Sequence, residues 1–151
     1  MTHPLELALQ IASRAEGIPT RAQLRRWVKA AQQAEMALTL RLTDAAEAQQ
    51  LNHDYRGKDY ATNVLTFVYA AAPANGDVVL CAPVVAREAA EQGKSLEAHY
   101  AHLVIHGVLH LQGYDHEHKS EAVAMESVER FIMQHLGYPD PYEHGRRQSK
   151  T

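Results

Sequence analysis

The sequence predicts a single α/β (α+β) domain. Three observations carry that expectation: four short segments with strand patterning, five stretches with helical patterning between and after them, and turn or cap residues at nearly every junction. The strands all fall before residue 82, and the last three helices follow one another directly. A chain of 151 residues, 46% hydrophobic and 22% charged, is ordinary for one soluble domain with a real core.

The first strand spans 5–11, where Leu5, Leu7, Leu9 and Ile11 alternate with Glu6, Ala8 and Gln10. Gly17 and Pro19 break it, and Thr20 caps a helix over 20–34 with Leu24, Trp27, Val28 and Ala31 on one face. Arg21, Arg25, Arg26 and Lys29 sit on the same helix, either as a solvated face or as a phosphate-contacting one. A second strand over 35–42 places Met36, Leu38, Leu40 and Leu42 on one side. Thr43 or Asp44 then opens a helix to about 54, with Glu47 available for a capping box.

A polar loop carrying Arg56, Lys58 and Asp59 leads into a strand over 64–69, and 70–75 reads as a turn. The strand over 76–81 is apolar almost throughout, which argues a central position. Pro83 suits the first turn of a helix that closes at Gly93, and Ser95 caps the next one, over 96–112. On that helix His99, His102, Leu103, His106 and His110 share one side, while Ala101, Val104, Ile105, Val108 and Leu111 share the other. The aliphatic side is expected to pack on the sheet and the histidine side to line a cleft. A last helix over 119–136 carries a stripe of Ala122, Met125, Val128, Ile132 and Leu136 and ends at Gly137 and Pro139. Residues 140–151 read as a frayed tail.

The chemistry concentrates in His106-Gly107-Val108-Leu109-His110-Leu111-Gln112-Gly113-Tyr114-Asp115-His116. Histidines four apart lie one above the other on a helix and can share an ion at a Zn–N distance of about 2.0–2.1 Å. Gly113 permits a left-handed stop, which returns His116 toward the same ion. Three protein ligands with an open fourth position describe a catalytic Zn²⁺ site, although three imidazoles also accept nickel, cobalt or copper. His118 is a candidate fourth ligand, His102 a cleft-lining or core histidine, and Asp115 either an orienting partner or a cap of the turn. The histidines and glycine resemble the metzincin protease motif, but Gly107 stands where that motif has its general-base glutamate.

One cysteine, Cys81, excludes a disulfide framework and fits a reducing cytosol. The first residues show no basic leader and no apolar span, so a cytoplasmic location without membrane contact is expected. A net charge of −3 argues against coating nucleic acid by bulk charge.

Taken together, the motif, the run Leu51-Asn52-x-x-Tyr55-Arg56-x-Lys58-Asp59, and the strands Val64-Leu65-Thr66-Phe67 and Gly76-Asp77-Val78-Val79-Leu80-Cys81 resemble the YbeY family of bacterial endoribonucleases. Met125-Glu126 and Leu136-Gly137 fit as well. The chain departs from the family pattern at Asn63, Thr66 and Val68, which read as changes at the rim of a cleft. The resemblance implies a compact α/β fold, with a small mixed sheet of about four strands packed by helices and the motif on a central helix. It implies one metal ion on His106, His110 and His116, with His106 and Arg56 as catalytic residues and Arg56 lining the cleft. It also implies single-stranded RNA as substrate, ribosomal RNA and ribosomal subunits as the target, and maturation and quality control as the role. In that setting Arg56 grips a phosphate, Lys58 is a candidate assistant, and Tyr55, Tyr60 and Tyr114 are candidate stacking partners for bases. Water or the RNA 2′-hydroxyl attacks phosphorus, giving linear or cyclic phosphate ends respectively. Two other readings stand beside this one: a metal-dependent peptidase or amidase, and a non-catalytic ribosome-associated factor with a structural metal.

Overall fold

The computed structural model describes residues 3–115 and 117–143. Strand β1 (Leu5–Ile11) leads into helix α1 (Arg21–Ala31), and strand β2 (Met36–Thr43) into helix α2 (Ala45–Arg56). Strands β3 (Val64–Ala71) and β4 (Ala74–Cys81) form a hairpin, followed by helices α3 (Ala82–Gln92), α4 (Leu96–Leu111) and α5 (Lys119–Leu136). The strands make one four-stranded sheet in the order β1-β2-β4-β3. β1, β2 and β4 run parallel, and β3 pairs antiparallel with β4 at the margin. The mixed sheet and the inner place of β4 match the expectation from sequence.

Local chemistry explains most boundaries. Thr20 Oγ1 accepts the Gln23 amide while Gln23 Oε1 accepts the Thr20 amide, a full capping box at α1. The box expected at α2 does not form. Asp44 accepts Ser13 Oγ instead, and Glu47 takes a bidentate pair with Arg41 of β2. Ser95 Oγ accepts the Ala98 amide, the cap foreseen for α4.

Side-chain alternation divides the sheet into two faces. A Cβ added at Gly107 of α4 would meet Val78 Cγ1 at 2.7 Å, and one at Gly76 would meet Leu111 of α4 at 2.4 Å. Gly76, Val78 and Leu80 therefore point toward α4, together with their cross-strand partners Val68, Thr66 and Val64. Helices α1, α4 and α5 close the main core over Leu38, Leu40, Leu42 and Leu80. On the other face, Ala48 of α2 meets Cys81 and Val84, and Cys81 is buried at the head of α3.

Two expectations are corrected. Helix α4 is buried almost all round: Leu103 belongs to the core, and His99, at 4% exposed, is covered by α3. Its histidine side becomes accessible only toward its C-terminal half. Residues 140–143 are packed rather than frayed, since Lys94 Nζ donates to the Pro141 carbonyl and Tyr142 reaches Glu129 of α5. Residues 144–151 lie outside the described residues.

Candidate metal centre

Helix α4 ends as the sequence predicts. Gly113 adopts a φ of +104°, and the amide of Tyr114 returns to the Leu109 carbonyl at 3.2 Å. That turn places the Tyr114 carbonyl 2.8 Å from His110 Nδ1. A carbonyl only accepts, so a neutral His110 ring carries its proton on Nδ1, and Nε2 is the nitrogen that could hold a metal. One turn earlier, His106 Nδ1 lies 3.1 Å from Glu129 Oε2 of α5. The two rings are stacked, with centroids 6.5 Å apart and planes 7° from parallel.

Glu129 was not anticipated from the sequence. It interrupts the buried side of α5 between Met125 and Met133, and its side chain is 1% exposed. His102 Nε2 donates to the same oxygen at 2.7 Å, and Tyr142 Oη donates to Oε1 at 2.6 Å. Burial by itself raises the carboxyl pKa. Hydrogen bonds from His102 and His106 outweigh it and hold the group down at about 2. Burial, then the bond to Glu129, pushes the Tyr142 phenol well above its usual value. The one available signal in the sequence was an acid where the 3.6-residue period calls for an apolar side chain.

A second buried pair lies further up α4. His99 Nε2 meets Glu88 Oε1 of α3 at 2.9 Å, and the Asn63 amide donates to the same carboxylate at 3.0 and 3.3 Å. Asn63, expected at the rim of a cleft, instead ties the start of β3 to α3.

The other singled-out residues scatter. Arg56 ends α2, two residues beyond the expected boundary, and is exposed. It lines a cleft of about 670 Å³ with Arg41, Tyr55, Phe67, Tyr69 and Asp77. Neither His106 nor His110 lines that cleft. Thr66 and Val68 of β3 also line it. Tyr55 stands edge-on to Phe67 at 5.2 Å, and Tyr60 is exposed in the following loop. Tyr114 donates through its hydroxyl to Gln33 and packs against the core. Asp115 Oδ1 accepts the Glu117 amide, a turn-capping bond. His118 is the exposed N-cap residue of α5, and Lys58 is exposed.

His116 lies outside the described residues, and among the described ones no three His, Cys, Asp or Glu side chains form a metal-holding group. The two described histidines nevertheless suit a divalent transition metal. Both have Nδ1 fixed by an acceptor, one a carboxylate and one a carbonyl, the arrangement that orients metal-ligating imidazoles.

Comparison with known proteins identifies the family. A family model described as Endoribonuclease YbeY matches residues 10–137. An endoribonuclease YbeY of Methylobacillus flagellatus is 54% identical over 145 residues, covering 95% of this chain and 97% of its own. Those of Aromatoleum aromaticum and Thiobacillus denitrificans are 58% and 56% identical, covering 91% and 94% of this chain and 92% and 99% of their own. The solution structure of TM1509 from Thermotoga maritima, 26% identical, superposes with a TM-score of 0.56 over 88% of this chain and 97% of that one. With the motif helix, the mixed sheet and these relatives in agreement, the chain belongs to the endoribonuclease YbeY family.

Proposed function

We propose that the chain is a metal-dependent endoribonuclease that cuts single-stranded RNA in ribosomal RNA maturation and ribosome quality control, in the cytoplasm. His106, His110 and His116 would hold one ion, Zn²⁺ by preference, and Arg56 would contact the phosphate. The single observation that carries this reading is the stacked pair of imidazoles, His106 and His110, each with Nδ1 fixed by an acceptor. Such an ion supplies Lewis-acid polarisation and acidifies water.

The chain's own residues supply the rest. An extended RNA strand laid across the outer margin of β3, which pairs with no strand among the described residues, would reach both the histidines and the Arg56 cleft. The Arg56 guanidinium would take two phosphate oxygens and offset the charge that grows on them. Tyr55 and Tyr60, both exposed, would offer ring faces to unpaired bases.

The peptidase reading meets a specific obstacle. The Cβ direction of residue 107 runs into Val78 of the central strand, so a carboxylate there would enter the core rather than stand beside the histidines.

Elemental analysis coupled to cleavage of an unstructured RNA, with a peptide substrate in parallel and with or without chelator, tests the proposal. His110→Ala is expected to lose the ion and RNA cleavage together. Arg56→Ala is expected to keep the ion while the rate falls roughly 100-fold, the scale of losing one charge-stabilising donor. An ion-free His110→Ala protein that cuts RNA at the original rate overturns the reading. Loss of the ion in Arg56→Ala would make the arginine structural.

A further inference from the structure

We propose that Glu129, clamped by Tyr142, is a positioning residue that fixes the tautomer and orientation of His106 as a metal ligand. The inference rests on the metal reading above and extends it to residues that touch neither ion nor RNA.

An ionised carboxylate inside a protein is tolerated only where hydrogen bonds replace its water. Glu129 has three such donors, drawn from two parts of the chain: the rings of His102 and His106 on α4, and the phenol of Tyr142 after α5. An apolar side chain would satisfy the helix stripe at position 129 with no such requirement. What the acid adds is direction. The two ring donors share one oxygen, so the bond that His102 makes to Oε2 helps fix the acceptor that His106 meets. Tyr142 holds Oε1 and is itself fixed, edge-on to the His102 ring at 5.4 Å and beneath the Arg130 guanidinium at 5.1 Å.

His106 Nδ1 is therefore obliged to carry the proton, and Nε2 becomes the ligating atom. His110 reaches the same tautomer by a different device, the backbone carbonyl of Tyr114. The two ligands are consequently unequal. His106 hydrogen-bonds to a full negative charge, which makes its ring the more basic donor to a metal, whereas His110 leans on a neutral dipole.

The test uses the zinc-loaded protein and two readouts: ¹H–¹⁵N ring correlations for the His106 tautomer, and zinc affinity by competition with a chromophoric chelator. The expected wild-type result is a proton on His106 Nδ1. Glu129→Gln keeps an acceptor but loses the charge, and zinc binding should weaken about 10-fold. Glu129→Leu removes the acceptor and should weaken it toward 100-fold, the upper end for loss of such a partner. Tyr142→Phe, on the packed segment after α5, should weaken it a few-fold and leave the fold intact. If Glu129→Leu does not melt cooperatively, Glu129→Gln and Tyr142→Phe decide the matter. A proton on His106 Nε2, or Gln and Phe variants that bind zinc as tightly as the wild type, overturns the positioning role alone. A wild-type protein that binds no zinc overturns the metal reading and this inference with it.

Discussion

Individual side chains on α4 illustrate how one histidine stripe is divided among different tasks. His106 and His110 face the accessible end, His102 braces Glu129, and His99 is sealed against Glu88. Burial lowers the His99 pKa from its ordinary value near 6.5, with Lys94 and His102 acting the same way, and Glu88 only partly opposes it. The folded state thus keeps this ring neutral, while the unfolded chain takes up a proton below about pH 6.5. Stability from His99 is present above that pH and is lost as pH falls through it toward the lower folded value. His99→Gln retains a donor toward Glu88 but cannot titrate. Melting curves from pH 8 to pH 5 should therefore decline less steeply for this variant than for the wild type; parallel curves would show that His99 contributes nothing to the acid limb. None of this was legible beforehand, because a helical wheel shows which residues share a side but not which neighbour covers them. The acids Glu88 and Glu129 belong to other helices and come into reach only through tertiary packing.

At the level of whole segments, patterning and caps were far more informative. The alternation in β1 and β2 and the glycines at 93, 113 and 137 marked elements that the structure reproduces to within a few residues. The failures have a shared cause: a polar side chain preferred a distant partner over its local one. Glu47 chose Arg41 over its own helix cap, and Tyr142 fastened a segment that reads as a tail. Gly107 has a second meaning that its motif does not suggest. Beyond replacing a base, it lets α4 approach β4, since an added methyl would stand 2.7 Å from Val78 Cγ1. Val78 is a short, stiff side chain in a fully buried strand position, so it has little room to yield. Gly107→Ala should destabilise the protein by about 1–3 kcal/mol through overpacking, despite roughly 1 kcal/mol gained in helix propensity. Urea denaturation measures the balance, and a variant at least as stable as the wild type would show that the two elements can part.

For the molecule as a whole, the fold class, the inner place of β4 and the motif helix could be inferred from the sequence, whereas the residues that share a cleft with Arg56 could not. Linear spacing places Arg56 ahead of β3 without saying which side of the sheet its helix will cover. The same layering has a chemical consequence at the junction of β4 and α3. Cys81, the chain's single thiol, is enclosed between α2 and α3, and burial raises its pKa. Reactivity belongs to the thiolate, which this enclosure suppresses. The native protein should stay inert to iodoacetamide, while each opening of the interior would leave a permanent alkyl mark. Counting those marks by mass spectrometry turns one sulfur atom into a clock for how often the interior is exposed.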